Sequence, residues 1–446
     1  MNMPAFLSFK NSNYNLLSLT LALFPASFIA GNLIINLNII ILILLSIITF
    51  KKEIFSIEIT ILDKLFLIFF FLIILTGIIN DYKFIINELD WKERYSTIEK
   101  SFSYLRYLIL YFIIRFLVEK DKINLNFFFV SCLICTLFVS FDIFYQLIFG
   151  KDIFGFVAPF RKLSGPFGDE LIAGSFLQRF CIFSFFTILL FYNGNKKILN
   201  FYLILLFIIF LIAIILSGNR MPFILFILTI LTILFFYKKT RKYLISTLIA
   251  LGIIFSIIYN LNAKVNSNFH VFYNQIQNTV IIVKSVFSKD QSRNYVVPQH
   301  IKEFATFYHT WRINKYIGGG IKNFRYYCHT REKIDPSSPF HHEKICNMHP
   351  HNYYLEILTE TGVIGFLIFL SILIYILKVS FFNKFKISNP MYKDLKLIPF
   401  VFLFLFEIFP LKSTGSFFTT GNSTYLFLII GISIGLLRRD KAIENK

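Results

Sequence analysis

The chain has 446 residues, 56% of them hydrophobic and 19% aromatic, and a formal net charge of +20; its mean hydropathy is +0.66. Uncharged apolar runs such as LIINLNIIILILLSIITF (33–50) and NFYLILLFIIFLIAIIL (200–216) are long enough to cross hydrocarbon as helices. They exclude a soluble globular fold, and their continuity, without alternation, excludes a transmembrane β-barrel.

The chain therefore reads as an all-α, polytopic membrane protein with about 12 transmembrane helices and one long periplasmic loop. Spans are expected at roughly 14–31, 33–50, 61–79, 101–118, 125–149, 171–192, 198–216, 221–237, 243–260, 353–377, 395–411 and 422–437. The first run lacks a small-residue cleavage site and is followed at once by a second, so it is expected to remain as a span. With the N-terminus in the cytoplasm, the cytoplasmic segments hold about 20 Lys and Arg and the short outer segments about 9, which places both termini inside. The basic excess is a topology signal. Nucleic acid would require those residues on one soluble surface.

Along the chain, Arg106 falls in the fourth span, where it is expected to snorkel or pair within the bundle. Cys132, Cys135 and Cys181 fall inside spans as small apolar fillers. SGNRMPF (217–223) lies between the seventh and eighth spans, on the outer side. Asn219 or Ser217 is a candidate cap for the following helix, and Pro222 suits its first turn. Arg220 adds a full positive charge at the electropositive helix end, which favours an anion such as phosphate; the competing role is a lone arginine at the interface.

Residues 261–350 form the long outer loop, and all eight histidines lie between His270 and His351. HIKEFATFYHTWRINKYI (300–317) sets Phe304, Phe307, Tyr308 and Trp311 on one helical stripe, expected to pack on the bundle or in the headgroup layer. GGGIKNF (318–324) is a tight turn that brings backbone close to another segment. Cys328 and Cys346 are a possible disulfide in an oxidising compartment. The alternative is zinc held by Cys328, His329, His341, His342, Cys346 and His349, although the spacing matches no established zinc pattern.

MHPHNYYLEILTETGVIGFLIF (348–369) enters the tenth span. Its strongly apolar part starts only at Val363, so 351–361 is expected to project from the hydrocarbon, with Glu356 and Glu360 in water or protein. His351 and Asn352 sit at the helix entrance, His351 on the first turn, and Gly362 and Gly365 permit close packing. Beyond it, Glu407 is the main ionisable residue within a span, with Lys412 as a candidate partner.

Together SGNR, the long loop, IGGGIKNF, HNYYLEILTETGVIGFLIF and RKLSGPFGDELIAGSFL (161–177) resemble the O-antigen ligase and polymerase superfamily of bacterial envelope glycosyltransferases. The motif core covers about 160–370, in a single domain of helices (1–260), periplasmic loop (261–350) and helices (351–446). The resemblance implies an inner-membrane enzyme with its site on the periplasmic face. Its donor is a glycan on undecaprenyl diphosphate, and its acceptor a sugar hydroxyl on lipid A core or on another glycan. No metal, nucleotide or other cofactor is implied. His351 matches the family's base and Arg220 an arginine that holds the diphosphate. A second loop arginine of the family is replaced by His300, with Lys302 beside it; Lys302, His300, Arg312 and Arg161 are the candidates for its role. Asn352, Gly318 and Gly320 match supporting positions. Ligase, polymerase and protein O-oligosaccharyltransferase share these motifs. A twelve-span transporter or flippase is the alternative of another class, and would show ionisable residues near the bilayer midplane.

Overall fold

A computed structural model describes residues 12–86, 96–157, 162–237, 240–288, 297–331, 346, 349, 351–382, 385–386, 389–390, 395–413 and 415–444. In chain order the helices are α1 (Ser12–Ala22), α2 (Phe24–Ala30), α3 (Asn32–Phe50), α4 (Ile61–Ile86), α5 (Ser96–Glu119), α6 (Leu125–Phe149), α7 (Ala173–Phe191), α8 (Lys196–Leu216), α9 (Arg220–Phe236), α10 (Leu244–Leu261), α11 (Ala263–Ser288), α12 (Gln299–Trp311), α13 (Phe324–Tyr327), α14 (Tyr353–Leu377), α15 (Leu397–Glu407) and α16 (Thr420–Glu444). A two-residue strand pair, Phe385–Lys386 with Asn389–Pro390, lies between α14 and α15.

Every expected span contains helix. Among the described residues nine helical segments are long and apolar enough to cross a membrane; α9 and α15 are apolar but shorter. The first expected span is broken into α1 and α2, with Pro25 in the first turn of the second piece, where its missing N–H costs nothing.

The core is aromatic. Phe66, Phe70, Tyr104, Tyr107 and Tyr111 of α4 and α5 pack on Phe427 of α16 or on one another. Phe128, Phe129 and Phe183 close on Phe400. The outward faces stay apolar: Leu33, Ile48 and Phe71 are exposed, and α10 buries only Leu251. Lipid tails are as apolar as these side chains, so exposure there carries no penalty.

The long loop is more helical than its sequence suggests. α11 continues almost directly from α10 and returns to α9, where Phe269 packs on Phe223 and Phe255. α12 does not bury the expected stripe whole. Phe307 stacks face to face on Phe324 at 3.6 Å in a small core with Cys328, while Tyr308 is exposed. The buried face of α12 is instead Glu303, Thr306, Phe307 and Thr310. A disulfide joins Cys328 to Cys346, with Cα atoms 5.8 Å apart, and Arg331 Nη1 lies 3.3 Å from both sulfurs. That bond removes both thiolates from the zinc reading; His341 and His342 lie outside the described residues.

α14 is two helices rather than one. Gly362 has φ 67° and ψ −173°, and the chain kinks there. The 315–320 turn docks into the break. Gly319 N–H donates to the Thr359 carbonyl and Gly320 N–H to Glu360, while Val363 and Ile364 N–H donate back to Lys315 and Tyr316. The backbones touch so closely that a Cβ on Gly318 would collide with the Glu360 carbonyl, and one on Gly362 with that of Tyr316. Both glycines have positive φ, so the contact requires glycine twice. Of the two surroundings expected for 351–361, water or protein, the structure shows protein, with Glu356 and Glu360 each 1% exposed.

Candidate active-site cavity

The polar half of α14 is built to hold the segment between α15 and α16. Asn352 caps α14, its Oδ1 accepting from Tyr354 and Leu355 N–H, and its Nδ2 donates to the Pro410 and Lys412 carbonyls. Tyr353 hydroxyl donates to Glu407 at 2.6 Å and Tyr354 hydroxyl to the Ile408 carbonyl. Glu356 accepts from Ser416 hydroxyl and Phe417 N–H, both at 2.5 Å.

His351 precedes this cap rather than lying on the first turn, because Asn352 takes the capping position. Its φ is +54°, in the left-handed region that non-glycine residues seldom occupy and that clusters at functional sites. The His349 ring lies 4.5 Å from it, edge to face. Burial first, and then the charge of His351, push the His349 imidazole down to about 4, so it is neutral at ordinary pH.

Arg220 opens α9. The Asn219 side chain does not cap that helix; its Nδ2 donates to the Leu171 carbonyl instead. Nor does Ser217, whose hydroxyl donates to the Ile214 carbonyl. The Arg220 guanidinium is held by α11: Nε and Nη2 donate to Asn268 Oδ1, and Nη1 donates to Gln275 Oε1. Phe272 lies beneath it at 5.4 Å.

His351 and Arg220 open on one cavity of about 1150 Å³, whose walls include Lys162, Gln178, Arg179, Asn219, His349 and Lys412. Burial and the nearby Arg220 charge lower the Lys162 ammonium below its ordinary value. Lys412 is pushed down to about 8 by burial, against the pull of Glu407. Glu407 does pair with Lys412, as its sequence position suggested, but it also pairs with Arg179 at 2.7 Å. Sequence reasoning passed over Arg179; its signal was a charge inside the apolar helix AGSFLQRFCIFSFF, the same signal that marked Glu407.

Two of the other proposed cations, Lys302 and Arg312, stand elsewhere. Lys302 is half-buried on α12 and Arg312 is exposed after it, and neither is among the residues lining the cavity. The His300 side chain and the whole of Arg161 lie outside the described residues. Gly318 and Gly320 act on backbone, in the turn that docks at Gly362. Arg106 donates to the Ser103 carbonyl and the Tyr107 hydroxyl.

The fold and the cavity define a multi-pass α-helical membrane protein with a cation-rich pocket. Residues 205–370 match the family model described as O-antigen ligase, so this part of the chain is similar to that family. Among curated proteins none matches the chain. The matched segment contains Arg220 and His351 but not Arg179, Glu407 or Lys412.

Proposed function

We propose that the protein transfers a glycan from undecaprenyl diphosphate to a sugar hydroxyl at the periplasmic face of the inner membrane, in the manner of a lipopolysaccharide O-antigen ligase. His351 takes the proton from the acceptor hydroxyl as the oxygen attacks the anomeric carbon. The diphosphate leaves with the bonding electrons, and Arg220 stabilises the charge that develops on it. The donor bond already carries the required energy, so no nucleotide enters. The supporting observation is that the base and the guanidinium open on the same cavity, although 131 positions apart by their numbers. Chain polymerisation and transfer to a protein hydroxyl use the same chemistry and differ in acceptor.

The test is complementation of a strain lacking the native gene. His351→Ala and Arg220→Ala are each expected to abolish glycan attachment on gels while the protein reaches the membrane. Unchanged glycan in His351→Ala sinks the mechanism. Lengthened glycan without attachment to lipid A core assigns the polymerase variant.

A further inference from the structure

We propose that Gln178, Arg179 and Lys412 form a second anion-binding wall of this cavity, and that its ligand is a phosphate of the lipid-linked donor. The proposal rests on the reading given above and adds to it residues from α7 and the 408–419 segment.

The charges do not balance locally. Arg179 Nε and Nη2 donate to Glu407, and Lys412 Nζ donates to the same carboxylate. The remaining acceptors of this cluster are neutral: Asn422 Oδ1 and Tyr353 hydroxyl. Two cations thus share one carboxylate, at side-chain exposures of 11%, 5% and 0% for Arg179, Lys412 and Glu407. One positive charge is left over in a poorly solvated place, which is costly unless an anion joins it. The carboxylates lining the cavity, Asp169 and Glu170, are exposed and screened by water. Glu356 is occupied by Ser416 and Phe417.

Gln178 is an independent sign. It is 2% exposed and lines the cavity, yet its Nε2 has no partner among the described residues. A buried amide donor without an acceptor is uncommon in a folded protein, and a phosphate oxygen would satisfy it. The wall is also fixed relative to His351. Asn352, the next residue, grips the Lys412 carbonyl, and Tyr353 grips Glu407. A diphosphate has two anionic groups, and Arg220 with this wall offers a cation to each.

The experiment uses the full-length protein in nanodiscs, with binding of undecaprenyl diphosphate and undecaprenyl monophosphate measured by native mass spectrometry. Arg179→Met and Lys412→Met each leave the surviving cation paired with Glu407, so neither strands a buried charge, and Gln178→Ala removes no charge at all. Each cation variant is expected to bind the diphosphate about tenfold more weakly and to lose its preference over the monophosphate. Lys412→Arg is expected to restore it, and Gln178→Ala to show a smaller loss in the same direction. A merely structural role would leave the preference intact. Unchanged preference in all three variants overturns the wall while the proposed function stands. Failure of the wild type to bind undecaprenyl diphosphate overturns both. Equal displacement by inorganic diphosphate would assign the wall to a free anion rather than to the lipid.

Discussion

Two of the ion clusters among the described residues, one around the buried Arg115–Asp63 pair and one around buried Glu407, are built differently. In one, Arg115 donates from Nε to Glu119, from Nη1 to Asp63 and from Nη2 to the Glu58 carbonyl. Asp63 also accepts from Tyr111 hydroxyl, Thr60 N–H and Thr60 hydroxyl, and Arg438 bridges Glu58 and Glu119. Carboxylates outnumber or match cations, and each guanidinium nitrogen of Arg115 has a protein partner. In the other, Arg179 and Lys412 outnumber Glu407 and border a cavity. A saturated cluster locks helices together. A cluster with a cation to spare and a cavity beside it is suited to a ligand.

Four substitutions bear on that contrast, in order of expected effect. His351→Ala should lower the rate of glycan transfer by about 10²–10⁴-fold, the usual share of a general base, with the melting temperature unchanged; a small rate loss would move the base elsewhere. Arg115→Ala should cost stability rather than chemistry, about 3–5 kcal/mol, because it strands Asp63. Thermal unfolding in detergent reads this, and a stable Arg115→Ala protein would erase the distinction between the clusters. Glu407→Gln should fall between, since it leaves two cations facing each other, whereas Lys412→Met should cost only about 1 kcal/mol. Equal losses from Glu407→Gln and Lys412→Met would show that the charge imbalance is not real.

Gly362→Ala should destabilise by about 1–3 kcal/mol, through its positive φ and the loss of the docked turn. Hydrogen exchange at Gly319 and Gly320 should then rise. A further effect, absent at neutral pH, appears only on acidification. His349 is held at about 4 against an ordinary 6.5, so between those values the unfolded chain binds the proton and the folded one does not. Stability is therefore full above about pH 6.5 and declines as pH falls toward 4. His349→Gln should flatten that decline in a pH series of melting temperatures.

Local pattern carried much of this in the sequence. The apolar runs predicted helix at every span, and the lone charge in FLFEIFPLK correctly paired Glu407 with Lys412. The glycine turn was legible as a close backbone approach, because GGG next to a polar segment has few other uses. The misses are non-local. The close packing expected at Gly362 is present, but the break in the helix there is not visible in the pattern, since helical periodicity runs unbroken through TETGVIGF and the docked 315–320 turn satisfies the backbone groups that the kink frees. α11 lies in the segment expected as loop because its amide content hides an amphipathic helix, whose Phe269 packs on Phe223 of α9 and Phe255 of α10.

By itself the sequence determined the membrane class and the helical content, since these depend on composition and periodicity; His351 and Arg220 were singled out by the family resemblance of their motifs. Only the tertiary structure decided that Gln178, Arg179 and Lys412 share their cavity. Arg179 and Glu407 are 228 positions apart, and no local rule pairs residues at that distance. They meet because the polar half of α14 grips the 408–417 segment, and because a buried carboxylate must find its cations wherever the helices bring them.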